Sequence, residues 1–105
     1  MENLKEIFQK AQLKAKEFTF EKMGENVMIY PCGFAWIFIK GKKSYLGKEF
    51  ERNGIMKWDD YKKQYYYWVG DYNQSALHKE AHAQKLSEIL SEELGEKIEF
   101  GSKLD

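Results

Sequence analysis

The stretch Tyr30-Pro31-Cys32-Gly33-Phe34-Ala35-Trp36-Ile37-Phe38-Ile39 decides the fold of this chain, because it joins the only proline and the only cysteine to six consecutive apolar residues. Over residues 34–39 both alternating sets of side chains are apolar, which is typical of a β-strand covered on both faces. Pro31 and Gly33 predict a bend or bulge before it, since proline lacks a ladder donor and glycine adopts unusual backbone angles. We expect a central strand here, with Cys32 as a buried packing residue.

Helical patterns precede and follow this strand. Apolar residues recur at helical spacing over residues 4–18, with Asn3 as a cap and Gly24 as the latest plausible end. Ser44 can cap a short helix that ends at Asn53-Gly54. A long last helix is predicted to run from near Ser75 to residue 93 or 94.

Two further strands complete the prediction. Tyr65-Tyr66-Tyr67-Trp68-Val69 reads as a second strand, residues 97–100 as a short last strand, and residues 55–64 as a loop with some local structure. The order α-β-α-β-α-β predicts an α+β fold in which helices pack on a three- or four-stranded sheet, forming a small two-layer sandwich. At 105 residues, the range 1–105 is expected to be one domain.

The composition narrows the functional classes. The formal net charge is zero, yet residues 40–63 carry eight basic and four acidic residues, while residues 78–105 carry four basic and seven acidic ones. That basic excess is small for a general nucleic-acid binder, so DNA or RNA is not the favoured partner. One cysteine, no signal-peptide pattern and no long apolar run predict a cytoplasmic protein without a membrane partner.

The start of the last helix is the candidate ligand site. The inward-facing residues of the last helix are apolar around Leu86 and become polar toward its N-terminus. At a helix N-terminus, unpaired backbone N–H groups favour binding of an anion. The candidate ligand-binding residues of this corner are Tyr72, Asn73, Gln74, Ser75 and Lys79. In the alternative interpretation, Ser75 or Asn73 only caps the helix and Lys79 points to water.

Catalytic and metal sites are not predicted. His78 and His82 share a helix face at the spacing that metal ligands use, but further ligands are lacking and surface or half-buried histidines are the simpler interpretation. No nucleophile with a matching base can be named, so we expect neither an enzyme nor a cofactor.

An aromatic block provides a second candidate surface. Tyr65 to Trp68 lie near other aromatic residues, and exposed tryptophan and tyrosine side chains stack on bases or on protein partners. The residues assigned to this stacking or partner surface are Trp58, Tyr66 and Trp68. A core filled with aromatic rings is the alternative, and the two can coexist on opposite faces of one strand.

Four segments of the chain resemble a family of small uncharacterised proteins of tailed bacteriophages. They are Pro31-Cys32-Gly33-Phe34-Ala35-Trp36, Asp71-Tyr72-Asn73-Gln74-Ser75, Lys79-Glu80-Ala81-His82-Ala83 and Gly101-Ser102-Lys103-Leu104-Asp105. Related sequences often have arginine at the position of Lys103, and arginine can grip a phosphate bidentately whereas lysine supplies a point charge. The resemblance implies an accessory protein made in the cytoplasm of an infected bacterium, where such proteins commonly inhibit host defence.

Two functions follow as hypotheses. The first is a non-catalytic protein that sequesters a small anionic, nucleotide-like ligand at the helix start, with Ser102 and Lys103 completing the site. The second is an inhibitor of a host defence protein that uses the exposed aromatic surface. A homo-oligomer is compatible with either function.

Overall fold

The computed structural model describes residues 3–24, 32–70, 72 and 75–104. Three helices pack on a four-stranded antiparallel sheet, which confirms the predicted α+β two-layer fold. In chain order the elements are α1 (Leu4–Met23), β1 (Gly33–Lys40), α2 (Tyr45–Arg52), β2 (Lys57–Asp59), β3 (Gln64–Trp68), α3 (Ala76–Leu94) and β4 (Glu99–Leu104).

The predicted helix ends are confirmed by their capping groups. The Asn3 side chain accepts a hydrogen bond from the Glu6 backbone N–H at 2.9 Å, and Ser44 does the same for Gly47 at 3.0 Å. The α3 helix ends at Gly95, which has the left-handed conformation (φ 71°) that glycine adopts without a steric penalty.

The sheet has the strand order β2-β3-β1-β4, so the predicted central strand is indeed internal. In its register with β3, Trp36 lies opposite Trp68 and Phe38 opposite Tyr66. In its register with β4, Trp36 lies opposite Gly101. Residues that face each other across an antiparallel pair project to the same side, so these registers fix which side chains share a face.

One face of the sheet holds the core. Ala35, Ile37 and Ile39 of β1 are at most 5% exposed and belong to the same cluster as Phe8, Leu86 and other helix residues. The α1 and α3 helices contact each other, and α3 packs on β1 and β4. Burial of these apolar side chains is the main contribution to the stability of the fold.

The β2 strand differs from the predicted loop over residues 55–64. Three residues of β2 pair with Gln64, Tyr65 and Tyr66 of β3, and Asp59 Oδ1 accepts hydrogen bonds from the backbone N–H groups of Tyr61 and Lys62 in the intervening turn. A three-residue strand is too short to produce a recognisable alternation in the sequence. The observed order is therefore α-β-α-β-β-α-β.

The last strand begins two residues later than predicted and continues to Leu104. Ser91 Oγ accepts from the Ile98 N–H at 2.9 Å and donates to the Ile98 carbonyl at 3.1 Å. Both backbone groups of Ile98 therefore bond to the side chain from α3, and the ladder with β1 starts at the next residue, Glu99.

Candidate binding site on the open sheet face

The second face of the sheet is covered by no helix of the described residues. Phe34, Trp36 and Phe38 project there from β1 and are half-buried. The prediction that β1 is covered on both faces is therefore wrong. All three helices pack on the other side, and the aromatic rings shield one another instead.

These rings form a contiguous cluster around Trp68, which we call the open aromatic face and define as Phe34, Trp36, Phe38, Tyr66 and Trp68. The Trp68 ring centre lies 5.8 Å from that of Phe34, 5.0 Å from that of Trp36 and 6.3 Å from that of Tyr66. Tilted and edge-to-face contacts at these distances are favourable for aromatic rings. Trp68 is nevertheless 45% exposed, so part of its indole remains free to contact a ligand.

Gly101 of β4 makes room for the Trp36 indole. A Cβ atom at Gly101 would lie 2.7 Å from Cζ2 and 2.8 Å from Cε2 of Trp36. The indole therefore lies directly over the glycine backbone, and any larger residue would displace it from the open aromatic face.

Three lysine side chains surround the open aromatic face. The ammonium groups of Lys79 and Lys103 lie 5.6 Å and 5.7 Å from the centre of the Phe34 ring, and that of Lys62 lies 4.9 Å from a Trp36 ring centre. These distances are within the range of cation–π attraction. Planar aromatic surface and positive charge therefore occur together.

Lys79 is unusual because its charge is buried. The residue is only 6% exposed, and its ammonium donates one long hydrogen bond of 3.4 Å to the Gly33 carbonyl. Among the residues that the structure describes, no carboxylate lies within ion-pair distance of it. Burying an ammonium without a negative partner among these residues is costly, and an anion beside it would offset part of that cost.

A cleft of about 430 Å³ opens beside these groups. It is lined by Phe34, Trp68, Val69 and Lys103. This volume lies within the range of small-molecule sites, which are mostly apolar with a few polar groups that fix orientation. Among the described residues, this lining is aromatic and aliphatic, with Lys103 as its cation.

Beneath the sheet, a chain of hydrogen bonds crosses the core and holds the start of α3. Gln12 Nε2 donates to Tyr67 Oη at 2.7 Å, and its Oε1 accepts from His82 Nε2–H at 2.5 Å. With Nε2 protonated, the neutral imidazole accepts from Tyr72 Oη–H through Nδ1 at 2.6 Å. The network links α1, β3, α3 and the segment before α3.

His78 is fixed in the same way. Its Nε2–H donates to the Gly24 carbonyl at 2.8 Å, and its Nδ1 accepts from Ser75 Oγ–H at 2.7 Å. His78 is fully buried and His82 is 3% exposed, so the prediction of surface or half-buried histidines is wrong. Their four ring nitrogens are used in hydrogen bonds that position the helix.

The structure brings together only part of the predicted ligand set. Lys79 and Lys103 meet at Phe34, next to Trp68. Ser75 is 1% exposed and caps α3, as the alternative interpretation proposed. Tyr72 is 7% exposed, and its hydroxyl is bonded to His82.

The other predicted positions are dispersed. Ser102 neighbours Lys103 on β4 but projects to the helix side, where its Oγ donates to Glu80 at 2.5 Å. Asn73, Gln74, Asp71 and Pro31 lie outside the described residues. Alternation along a strand therefore separates Ser102 and Lys103, which the sequence hypothesis placed in one site.

The predicted aromatic surface is divided between the two faces of the sheet. Tyr66 and Trp68 lie on the open aromatic face, but Trp58 pairs with Tyr65 on the helix side, with ring centres 4.9 Å apart. The Trp58 indole N–H donates to Asp60 at 3.3 Å. Hydrogen bonds from Lys63 and then Trp58 lower the pKa of the Asp60 carboxyl.

Sequence reasoning missed Phe34, Trp36, Lys62 and Val69 as site residues. The first two were assigned to a strand buried on both faces, whereas they form the floor of the open face. The signal was present in the bulky aromatic set at alternate positions 34, 36 and 38, opposite Ala35, Ile37 and Ile39. The large rings mark the open face and the aliphatic set marks the core.

Cys32 is also placed differently from the prediction. It is exposed, and it forms an isolated antiparallel bridge with Ser75. Next to it, a Cβ at Gly33 would lie 2.6 Å from Ala76 Cβ and 2.6 Å from the Lys103 carbonyl oxygen. This close packing of β1, β4 and the α3 start fills the interior and leaves Cys32 outside.

Within the described ranges, no group of three or more histidine, cysteine, aspartate or glutamate side chains is arranged to hold a metal ion. Nor does any of the described helices have the length and apolar character needed to cross a membrane. Comparison of the chain with family models, with curated proteins and with solved structures finds no match.

Proposed function

We propose that this protein binds a small anionic ligand that contains an aromatic base, and that it sequesters the ligand without chemical turnover. The buried Lys79 ammonium carries the proposal, since it is 6% exposed and its hydrogen bond to Gly33 is long. An anionic group, such as a phosphate, placed beside it compensates the buried charge. Charge-assisted hydrogen bonds of this kind are about twice as strong as neutral ones.

The base is expected to contact the aromatic rings of the cleft. Trp68 is 45% exposed beside Phe34, and a base has a flat face that stacks on either ring. Such stacking contributes about 1–3 kcal/mol per base and tolerates different bases. Lys103 stands at the same cleft and supplies a second cation for a ligand with more than one phosphate.

The proposal involves no catalysis, in keeping with the described residues of the site, which include no nucleophile or general base beside the cleft. The side chains that line the cleft are aromatic, aliphatic and lysine, and both histidines are used inside the core. A counter-defence role in the cytoplasm of an infected bacterium is part of this proposal. That setting is supported only by the resemblance of the sequence to tailed-phage proteins.

Thermal unfolding with a ligand panel tests the proposal. Ligands that bind only the native state raise the melting temperature, by about 2.7 kcal/mol of stability at one hundred times Kd. Cyclic dinucleotides and ADP-ribose are expected to give saturable shifts larger than those of adenosine or pyrophosphate, which each offer half of the contacts. Absence of a saturable shift with any phosphorylated base would refute the proposal.

Variants then locate the binding site. Lys103→Gln and Trp68→Leu should each reduce a measured affinity at least about tenfold, which corresponds to about 1.4 kcal/mol. Lys97→Gln is the matched control, because Lys97 pairs with Glu99 at 3.8 Å and takes no part in the cleft. Recovery of unchanged nucleotide after heat release distinguishes sequestration from turnover.

A second candidate function is inhibition of a host protein through an exposed surface. The observation that favours it is the number of large apolar side chains in water, among them Tyr45 at 74%, Tyr61 at 92% and Trp68 at 45% exposure. Exposed aromatic residues are enriched in protein interfaces. A bacterial protein that co-purifies with the wild-type chain, but not with Trp68→Ala, would support this function.

A further inference from the structure

The β4 strand forms one edge of the sheet, and its outer side carries unused backbone groups. The Ala35 carbonyl accepts from Val69 N–H at 3.0 Å, so odd-numbered residues of β1 bond to β3 and even-numbered ones to β4. Their β4 partners are Glu99, Gly101 and Lys103. Hence Phe100, Ser102 and Leu104 direct their N–H and C=O groups outward, where no described residue pairs with them.

This edge lacks two of the features that usually protect an exposed strand, short length and proline, and its charged residues Glu99 and Lys103 project to the open face of the sheet. It is six residues long and contains no proline, and two apolar side chains on it, Phe100 and Leu104, are 38% and 66% exposed. Natural proteins protect such edges with prolines, bulges, charged side chains or very short strands. The opposite edge, β2, has only three residues and is protected in that way.

We propose that β4 pairs antiparallel with β4 of a second copy of this chain, about a two-fold axis at Gly101. In this register the outward-facing Phe100 of one copy lies opposite Ser102 of the second copy, so the outward N–H and C=O groups of these two residues bond in pairs. Glu99 of each copy lies opposite Lys103 of the other. Leu104, which is 66% exposed, lies opposite the second copy's Ile98.

The charges on the strand select this register over its neighbours. Shifting the pairing by two residues places Phe100 opposite its own counterpart and brings Lys103 opposite the second copy's Lys97. A shift in the other direction places Lys103 opposite the second copy's Gly101, so both Glu–Lys pairs are lost. Like charges directly opposite destabilise a strand pair, whereas the proposed register contains two Glu–Lys pairs related by symmetry.

The pairing also joins the two open aromatic faces. A two-fold axis perpendicular to the sheet keeps the same face on the same side in both copies, giving one eight-stranded sheet. Only Gly101 and its counterpart separate the two Trp36 side chains across the axis. The dimer therefore presents a single aromatic and basic surface twice as wide as that of one copy.

Charge reversal tests the dimer. Sedimentation equilibrium should show a dimer for the wild-type chain and an increase of at least about tenfold in its dissociation constant for Glu99→Lys or Lys103→Glu. Combining both substitutions restores complementary pairs and should restore the dimer. A wild-type monomer, or a double variant as weak as the single ones, would overturn the proposal.

Crosslinking tests the register with folded protein. In the Cys32→Ser background, Glu99→Cys and Lys103→Cys together place thiols opposite each other at a non-hydrogen-bonded pair, where Cα atoms are about 4.5 Å apart and a disulfide can form. Within one chain they are about 13 Å apart along the strand, so they cannot join. We expect a covalent dimer from the pair and little from either cysteine alone. Crosslinking of the single cysteines as efficient as that of the pair would exclude this register.

Discussion

Replacement of Lys79 by methionine should make the protein more stable while abolishing its affinity for an anion. Methionine retains the length and apolar packing of the lysine stem but removes a charge that is 94% buried, given an exposure of 6%. A substitution that raises stability and abolishes binding is expected where a binding site holds an uncompensated charge.

The expected gain in stability can be worked out from the contacts of the Lys79 ammonium. Its burial costs several kcal/mol even after relaxation of the surroundings. Against this stand a 3.4 Å hydrogen bond to Gly33 and a cation–π contact with Phe34 at 5.6 Å, which contribute about 1 kcal/mol each. A net gain of about 1–2 kcal/mol on substitution corresponds to an increase in Tm of at least about 4 °C for a domain of this size.

Urea and thermal unfolding, followed by circular dichroism without phosphate in the buffer, measure this gain. Lys85→Met on the same helix is the matched control, because Lys85 is 37% exposed and its ion pair with Glu88 is 4.0 Å long. Such a pair changes stability by about 0.5 kcal/mol or less. A Lys79→Met protein less stable than the wild type would refute the reasoning, since the ammonium would then be well compensated inside the fold.

Three other predictions concern the core. Gly47→Ala should destabilise the protein by about 1–3 kcal/mol, because the new Cβ would lie 2.2 Å from Cδ2 of Tyr65. This loss is expected although alanine has the better helix propensity. Urea unfolding measures it, and an unchanged stability would contradict this packing. Burial, and then the charge of Glu51, raise the pKa of the Tyr65 phenol, so its stabilising contribution is present below about pH 10 and is lost as the pH rises through the folded-state pKa. Tyr65→Phe should therefore flatten the loss of stability above about pH 10, and identical pH profiles would speak against it. Gln12→Leu should lower the free energy of unfolding by about 1–3 kcal/mol, because it removes the acceptor of the His82 N–H. Urea unfolding measures this loss. An unchanged stability would mean that water replaces the amide.

The sequence predicted the elements better than the face on which each residue lies. Helix ends could be located because Asn3, Ser44 and Gly95 act on their immediate neighbours. The change from apolar to polar residues along the inward side of α3 was also predicted correctly, because Lys79 is buried there, whereas the exposure of the two histidines was not. Such local interactions depend on spacing along the chain, which a sequence shows directly.

The composition of the candidate site could be predicted only in part, since it depends on pairing between strands. Lys103 and Trp68 meet at Phe34 because β4 and β3 flank β1, a relation that no local pattern specifies. Likewise, the separation of Ser102 from Lys103 follows from the register with Ala35 and Phe34. A one-residue change in that register would have exchanged the two side chains.

The indole N–H signals of the three tryptophans provide the most direct test of binding at the open aromatic face. Trp36 and Trp68 lie on that face, while Trp58 lies on the helix side of the same sheet and serves as an internal control. Titration of the ¹⁵N-labelled protein with a cyclic dinucleotide or ADP-ribose should shift the Trp68 and Trp36 signals saturably and leave Trp58 in place. A saturable shift confined to Trp58, or saturable binding that moves none of the three, would contradict the account.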